Sequence, residues 1–307
     1  MQRPTTPDSL RAMRYDAHDS LVAPARATAR LPYLIVGTAL TAVLFLGLSF
    51  GYAEVLQRVF PKDIWARLAP TIESATSPVG VLVNLFIFAM LITALAVALR
   101  LVHKRGLMTL VGAPVSASRQ FRRAFLAMLV LYAVIMMLPL PEGMEPAPNV
   151  AFGTWAGFLP LALVGLFIQV FAEEVLFRGY FQSQLAARFS SPLIWIGLPS
   201  LGFALLHFDP TTFGVNAWIV VFWAGAFGIA AGDLTARFGT LGPATALHFI
   251  NNFGAILITA PQGQFDGLAL YSYPFSMEDS AAFWTFMPID IMILVCGWLT
   301  IRLALRG

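Results

Sequence analysis

Apolar residues in this chain come in long blocks, without the apolar/polar alternation that marks a half-buried strand. Eight blocks approach the roughly 20 residues needed to cross the hydrocarbon core of a bilayer: 31–52, 79–102, 121–140, 156–180, 192–208, 216–236, 241–260 and 283–303. A backbone in lipid must satisfy its own polar groups, and without strand patterning only helices do so. The pattern therefore predicts an all-α fold, a polytopic transmembrane helical bundle of about eight spanning helices. Pro199 interrupts the fifth block and Asp209-Pro210 ends it abruptly.

The polar connections divide the chain. Residues 1–30 hold five Arg and three Asp but no apolar stretch resembling a signal peptide, and are expected to form a flexible N-terminal tail. Residues 31–140 supply N-terminal membrane helices, 156–260 a helical core and 283–307 a C-terminal membrane helix. Basic residues sort to one side. Arg100, Lys104, Arg105, Arg119, Arg122 and Arg123 share one connection without an acid, and Arg188, Arg237, Arg302 and Arg306 fall at later alternate ends. Glu142, Glu145, Asp209, Asp266, Glu278 and Asp279 lie in the opposite connections. By the positive-inside rule this fits eight spans with both termini in the cytoplasm, as in a multi-pass protein of a bacterial inner membrane.

Composition supports the membrane reading. Hydrophobic residues make up 58% of the 307 and charged residues only 11%, where a soluble domain carries about 25% charged residues. The net charge of +3 comes mostly from loops, so it reports topology and does not point to nucleic acid. The single cysteine, Cys296, lies in an apolar run, allows no disulfide within the chain and is expected to be a packing residue. The expected partners are the lipid bilayer and a membrane-associated protein or peptide substrate; no feature of the sequence fixes an oligomeric state.

Against this background the ionisable residues inside the blocks need a reason, because a charge near the bilayer centre costs at least ~2.5 kcal/mol. The fourth block contains Glu173, Glu174 and Arg178. Glu174 and Arg178 are one helical turn apart and can pair. Glu173 lies about 100° further round, facing elsewhere, with Gln169 on its own face. His207 ends the fifth block, and His248 and Asn252 share a face in the seventh. Of the chain's four histidines, His18 is in the tail and His103 in a basic loop, so the other two join the carboxylates at apolar helices. Singly, each has a structural reading: a solvated ion pair at a helix end, an interfacial histidine, a bond between helices. Together they form a chemical tool kit. A carboxylate can act as general base towards water, histidine can shuttle a proton or bind a metal, and an Asn amide or His N–H can stabilise an oxyanion. No Ser–His or Cys–His pair has a local signature, which leaves water as the expected nucleophile. Asp290, inside the eighth block, is the one charge this reading does not use, and a structural role is expected for it.

These blocks resemble the CAAX prenyl endopeptidase and bacteriocin-processing (Abi) intramembrane protease family, whose pattern is EExxxR, then FxxxH, then HxxxN or HxxxD. The matching residues are Glu173-Glu174-x-x-x-Arg178, Phe203-x-x-x-His207 and His248-x-x-x-Asn252, and the resemblance covers roughly residues 156–260. It implies a helical bundle with an active-site cavity within the membrane, and an endopeptidase acting on a membrane-associated protein or peptide. It further implies that Glu173 activates water with His207 beside it. His248 and Asn252 would hold the scissile carbonyl and its oxyanion, with Glu174 and Arg178 as electrostatic support. The family is discussed both as metalloproteases and as glutamate-dependent proteases. Glu173, His207 and His248 could make a zinc site with an open position, although HExxH is absent. Convergence requires the fourth helix to run past Arg178 towards Arg188, and the fifth to be short or kinked near Pro199. The competing readings are a transporter or channel, which would also bury paired carboxylates but often shows an inverted repeat not seen here, and a non-catalytic scaffold or immunity protein.

Overall fold

The computed structural model of the protein describes residues 15–306. Each apolar block becomes a helix. They are α1 (Leu31–Val59), α3 (Pro78–His103), α4 (Pro114–Ile135), α5 (Phe152–Ala186), α6 (Pro192–Leu205), α7 (Pro210–Phe238), α8 (Gly242–Phe253) and α9 (Ser280–Ala304), with a further helix α2 (Lys62–Glu73) after α1. Five of them, α1, α3, α5, α7 and α9, are long and apolar enough to cross a membrane, and the chain is an integral membrane protein. The other three expected spans are helical but differ in kind. α4 opens with Arg119, Arg122 and Arg123. α6 is short and broken at Ile196, between Pro192–Trp195 and Gly197–Leu205. α8 has 12 residues, and every one from Gly242 to Ile250 is buried. A helix apolar all round is a core helix, and α8 is the core of this bundle. It can be so because small residues let its neighbours approach: a Cβ on Gly242 would lie 2.2 Å from the Ala117 carbonyl oxygen of α4.

The bundle has two distinct ends. At one, a three-stranded sheet joins β1 (Ala147–Pro148), β2 (Thr259–Gln262) and β3 (Tyr271–Ser276) in the order β1-β3-β2, antiparallel then parallel. No run of alternating residues along the chain pointed to it. β1 leads into α5, β3 leads into α9, and β2 continues from the wide turn Gly254–Ile258 that follows α8. At the other end lies the segment expected to be a flexible tail. Residues 16–28 instead form three short helical turns, Asp16–His18, Asp19–Val22 and Ala23–Thr28, with Leu21 and Ala25 fully buried. The Tyr15 hydroxyl donates to Asp233 of α7 at 2.7 Å, and Ser20 donates to the Gly239 carbonyl at 2.6 Å. His18 stacks on Trp195 of α6, with ring centroids 4.8 Å apart. The tail expectation is therefore corrected for residues 15–30; residues 1–14 lie outside the described residues. His103, expected in a loop, ends α3 in a buried cluster, with Nδ1 2.8 Å from Thr28 Oγ1 and Nε2 2.9 Å from the Tyr180 hydroxyl.

Candidate active site

α5 carries Gln169, Glu173, Glu174 and Arg178, α8 carries His248 and Asn252, and His207 follows the end of α6. Both conditions for convergence are met, because α5 continues beyond Arg178 to Ala186 and α6 is short and broken. Immediately after Glu174 the helix widens into a π-turn, Val175–Phe181. Such turns are rare and occur often at functional sites.

Glu174 is fully buried and holds the centre. Its Oε1 accepts from Arg178 Nη1 at 2.9 Å and from His248 Nδ1 at 2.8 Å. The other imidazole nitrogen, Nε2, lies 3.4 Å from Glu173 Oε2. The two carboxylates do leave the helix in different directions, but Glu173 is not apart from the Glu174–Arg178 pair: His248 occupies the angle between them and meets both. With Nδ1 turned to Glu174, Nε2 is the ring nitrogen that faces Glu173. The Arg178 guanidinium lies 4.6 Å from the Phe203 ring centroid and 5.7 Å from that of Phe227, two desolvated cation–π contacts. Phe227 also packs edge-on to His248 at 4.8 Å. Nothing in the spacing along the chain pointed to Phe227 of α7.

Asn252 joins the cluster through Gln169, to which its amide donates at 3.0 Å. His207 is placed less directly. Its Nδ1–H donates to the Phe203 carbonyl at 2.8 Å, leaving Nε2 as the free lone pair. Its ring lies 4.6 Å from that of Phe203, which is 6.1 Å from the His248 ring. His207 is thus attached to the cluster through Phe203, and no hydrogen bond joins it to Glu173 among the described residues.

The zinc reading needs Glu173, His207 and His248 to converge on one point. Among the described residues no group of three or more His, Cys, Asp or Glu side chains could hold a metal ion. Both nitrogens of His248 already face carboxylates. The residues as placed do not fit that ion. Within the cluster His248 is only 4% exposed, while Glu173 and Asn252 are partly exposed. Recesses of about 410 Å³, along Ile92–Leu101, and about 250 Å³, beside Arg119 and Leu305, lie elsewhere. Within the cluster Glu173 Oε2, Glu174 Oε2 and Arg178 Nη2 are buried without a hydrogen-bond partner. Buried polar atoms in that state are costly, and three in one place mark a site with polar binding capacity in reserve.

No curated protein and no solved structure matches the chain. Residues 154–254, about a third of the chain and including every side chain of this cluster, match the family model described as Type II CAAX prenyl endopeptidase Rce1-like.

Proposed function

We propose that the protein is an intramembrane endopeptidase that hydrolyses a peptide bond of a membrane-associated protein or peptide, with water activated at Glu173. The observation that carries this reading is the closed Glu173–His248–Glu174–Arg178 cluster, built across α5 and α8 inside the matched segment. In the first step Glu173 takes a proton from water while the water oxygen bonds to the scissile carbonyl carbon. The carbonyl π pair moves onto oxygen. The second N–H of the Asn252 amide supplies a donor for that charge. The tetrahedral species then collapses, the C–N bond breaks, and the proton held by Glu173 passes to the leaving nitrogen. Atoms and charge balance without a covalent enzyme intermediate. Glu174 orients His248 through Nδ1, as a carboxylate orients an imidazole in hydrolytic triads, and Arg178 compensates its charge. The glutamate-dependent version is preferred to the metal version because His248 is engaged by both carboxylates and no three-ligand group is assembled among the described residues.

Purified protein should release new peptide termini from a membrane-associated substrate identified by comparing the peptides of cells with wild type and with the Glu173→Ala variant. Glu173→Gln keeps the shape of the side chain and removes its basic oxygen. Loss of an essential base costs roughly 100-fold to 10,000-fold in rate. Full cleavage by Glu173→Gln refutes the mechanism. Inhibition by a chelator, reversed by added zinc, would replace it with the metal version.

A further inference from the structure

α5 and α8 are joined twice at the cluster. Glu173 Oε2 lies 3.4 Å from His248 Nε2, and Asn252 Nδ2 donates to Gln169 Oε1 at 3.0 Å. Gln169 stands one turn before Glu173 on α5, and Asn252 one turn after His248 on α8. Both stretches are regular α-helix, because the π-turn of α5 begins only at Val175. The two helices therefore run antiparallel here, and the two junctions lie about 6 Å apart at ~1.5 Å per residue. Gln169 is buried, whereas Glu173 and Asn252 are partly exposed and keep surface for a ligand.

The Asn252 amide is tied at both ends. Its nitrogen donates to Gln169 of α5, and its Oδ1 accepts from Asn251 Nδ2 at 3.3 Å. An amide has two settings related by a half turn, with oxygen and nitrogen exchanged. Turned over, Asn252 would set its oxygen against Gln169 Oε1 and its NH2 against that of Asn251. Acceptor would face acceptor and donor would face donor. The two bonds thus select the setting in which the NH2 is turned to the helix that carries Glu173. Gln169 takes one of its two protons and leaves the other. The selection has a chemical consequence, because an oxyanion is stabilised by a donor and repelled by a carbonyl oxygen.

Resting on the hydrolytic reading of the site, we infer that Gln169 and Asn251 are positioning residues. They hold the Asn252 amide so that its remaining N–H meets the oxyanion of a carbonyl whose carbon faces the water at Glu173. Neither touches the reacting atoms. Each acts through Asn252, so its effect must vanish when Asn252 has no amide.

The test uses the purified full chain in proteoliposomes and a synthetic peptide carrying the cleavage site found by the Glu173→Ala comparison. Gln169→Met keeps the length of the side chain and removes the carbonyl acceptor. It should lower kcat by about 100-fold, the scale of a slightly misplaced catalytic group. KM should not change, because the lost interaction is made only in the transition state. Asn252→Ala should lower kcat by roughly 100-fold to 1,000-fold, and adding Gln169→Met to it should lower kcat no further. A Gln169 that only supports the fold would act equally in both backgrounds. Asn251→Ala removes the other tie and should follow the same pattern; it takes the place of Gln169→Met if that variant fails to insert. An unchanged kcat in Gln169→Met, a loss as large with Asn252→Ala as without it, or full activity of Asn252→Ala overturns the proposal. Any of these in a protein that Glu173→Gln inactivates sinks the positioning role alone. Normal cleavage by Glu173→Gln sinks the hydrolytic mechanism itself.

Discussion

The Glu174 carboxylate has no exposed surface and takes one bond from Arg178 and one from His248. Its removal therefore leaves a guanidinium buried among Phe177, Phe203 and Phe227. Breaking a buried pair by deleting one partner costs about 3–5 kcal/mol. Glu174→Ala should lower thermal stability in detergent by that order and abolish cleavage with it, whereas Glu174→Gln, which keeps an acceptor for Arg178, should recover most of the stability and little of the activity. Equal melting of Glu174→Ala and wild type would show that the pair does not hold the bundle. His248→Ala should separate differently: it leaves the Arg178 bond to Glu174 intact, so activity should fall further than stability, as read by the same two assays. The residues of this cluster were legible in the sequence because charges and histidines are conspicuous in apolar blocks and because the i,i+4 spacing of Glu174 and Arg178 fixes their common face. The meeting of both glutamates on one imidazole was not legible. Spacing along α5 says nothing of what fills the angle between two of its faces, and the π-turn after Glu174 changes the helical phase with no residue to announce it. The attachment of His207 through the Phe203 ring was hidden for the same reason.

Between elements, the strap formed by residues 15–28 ties together α5, α6 and α7: His18 meets Gln182 and Trp195, and Tyr15 meets Asp233. His18 is buried, and burial pushes its pKa down from 6.5 to about 4, with Asp19 pulling weakly the other way. The unfolded strap binds a proton more readily than the docked one. The docking contribution is thus fully present above about pH 6.5 and is lost as pH falls through about 4. Hydrogen exchange of residues 16–28 should accelerate over that window, and His18→Phe should flatten the dependence; acceleration unchanged in His18→Phe would assign it to another group. At the α4–α8 contact, Gly242→Val should place a branched side chain against the Ala117 carbonyl, where even a Cβ would sit 2.2 Å away. Backbone on both sides must then shift, and a loss of about 1–3 kcal/mol is expected from overpacking, with reduced cleavage because α8 carries His248. The helices themselves could be read from block length. The sheet could not, because its strands are two to six residues long and show no sustained alternation. The strap lacks an apolar block and buries only scattered residues such as Leu21 and Ala25, so composition made it look like a tail.

For the molecule as a whole, composition and connectivity give different numbers of crossings. Five helices are apolar and long enough to span a membrane, and an odd number of crossings would place the two ends of the chain on opposite sides. The contacts argue otherwise. Asp233 near the end of α7 accepts from Tyr15 of the strap and, at 2.9 Å, from Trp298 near the end of α9. The beginning and the end of the described chain therefore meet at one end of the bundle, and the sheet, with the starts of α5 and α9, lies at the other. An even number of traverses is required. We propose that α4, α6 and α8 supply the missing ones: α4 at the cost of a basic first half that fits a membrane surface, α6 as a short broken helix, and α8 shielded from lipid by its neighbours and so needing no full apolar span. The basic clusters of the α3–α4 connection and of Arg237, Arg302 and Arg306 fall at the strap end, which the positive-inside rule assigns to the cytoplasm. Reporter fusions at the C-terminus and within the N-terminal fourteen residues should thus report the cytoplasmic side, and a fusion after residue 145, beside β1, the opposite one. A C-terminal fusion agreeing with the residue 145 fusion would mean that α4, α6 and α8 do not together complete the traverses, and the arrangement of eight alternating helices would have to be abandoned.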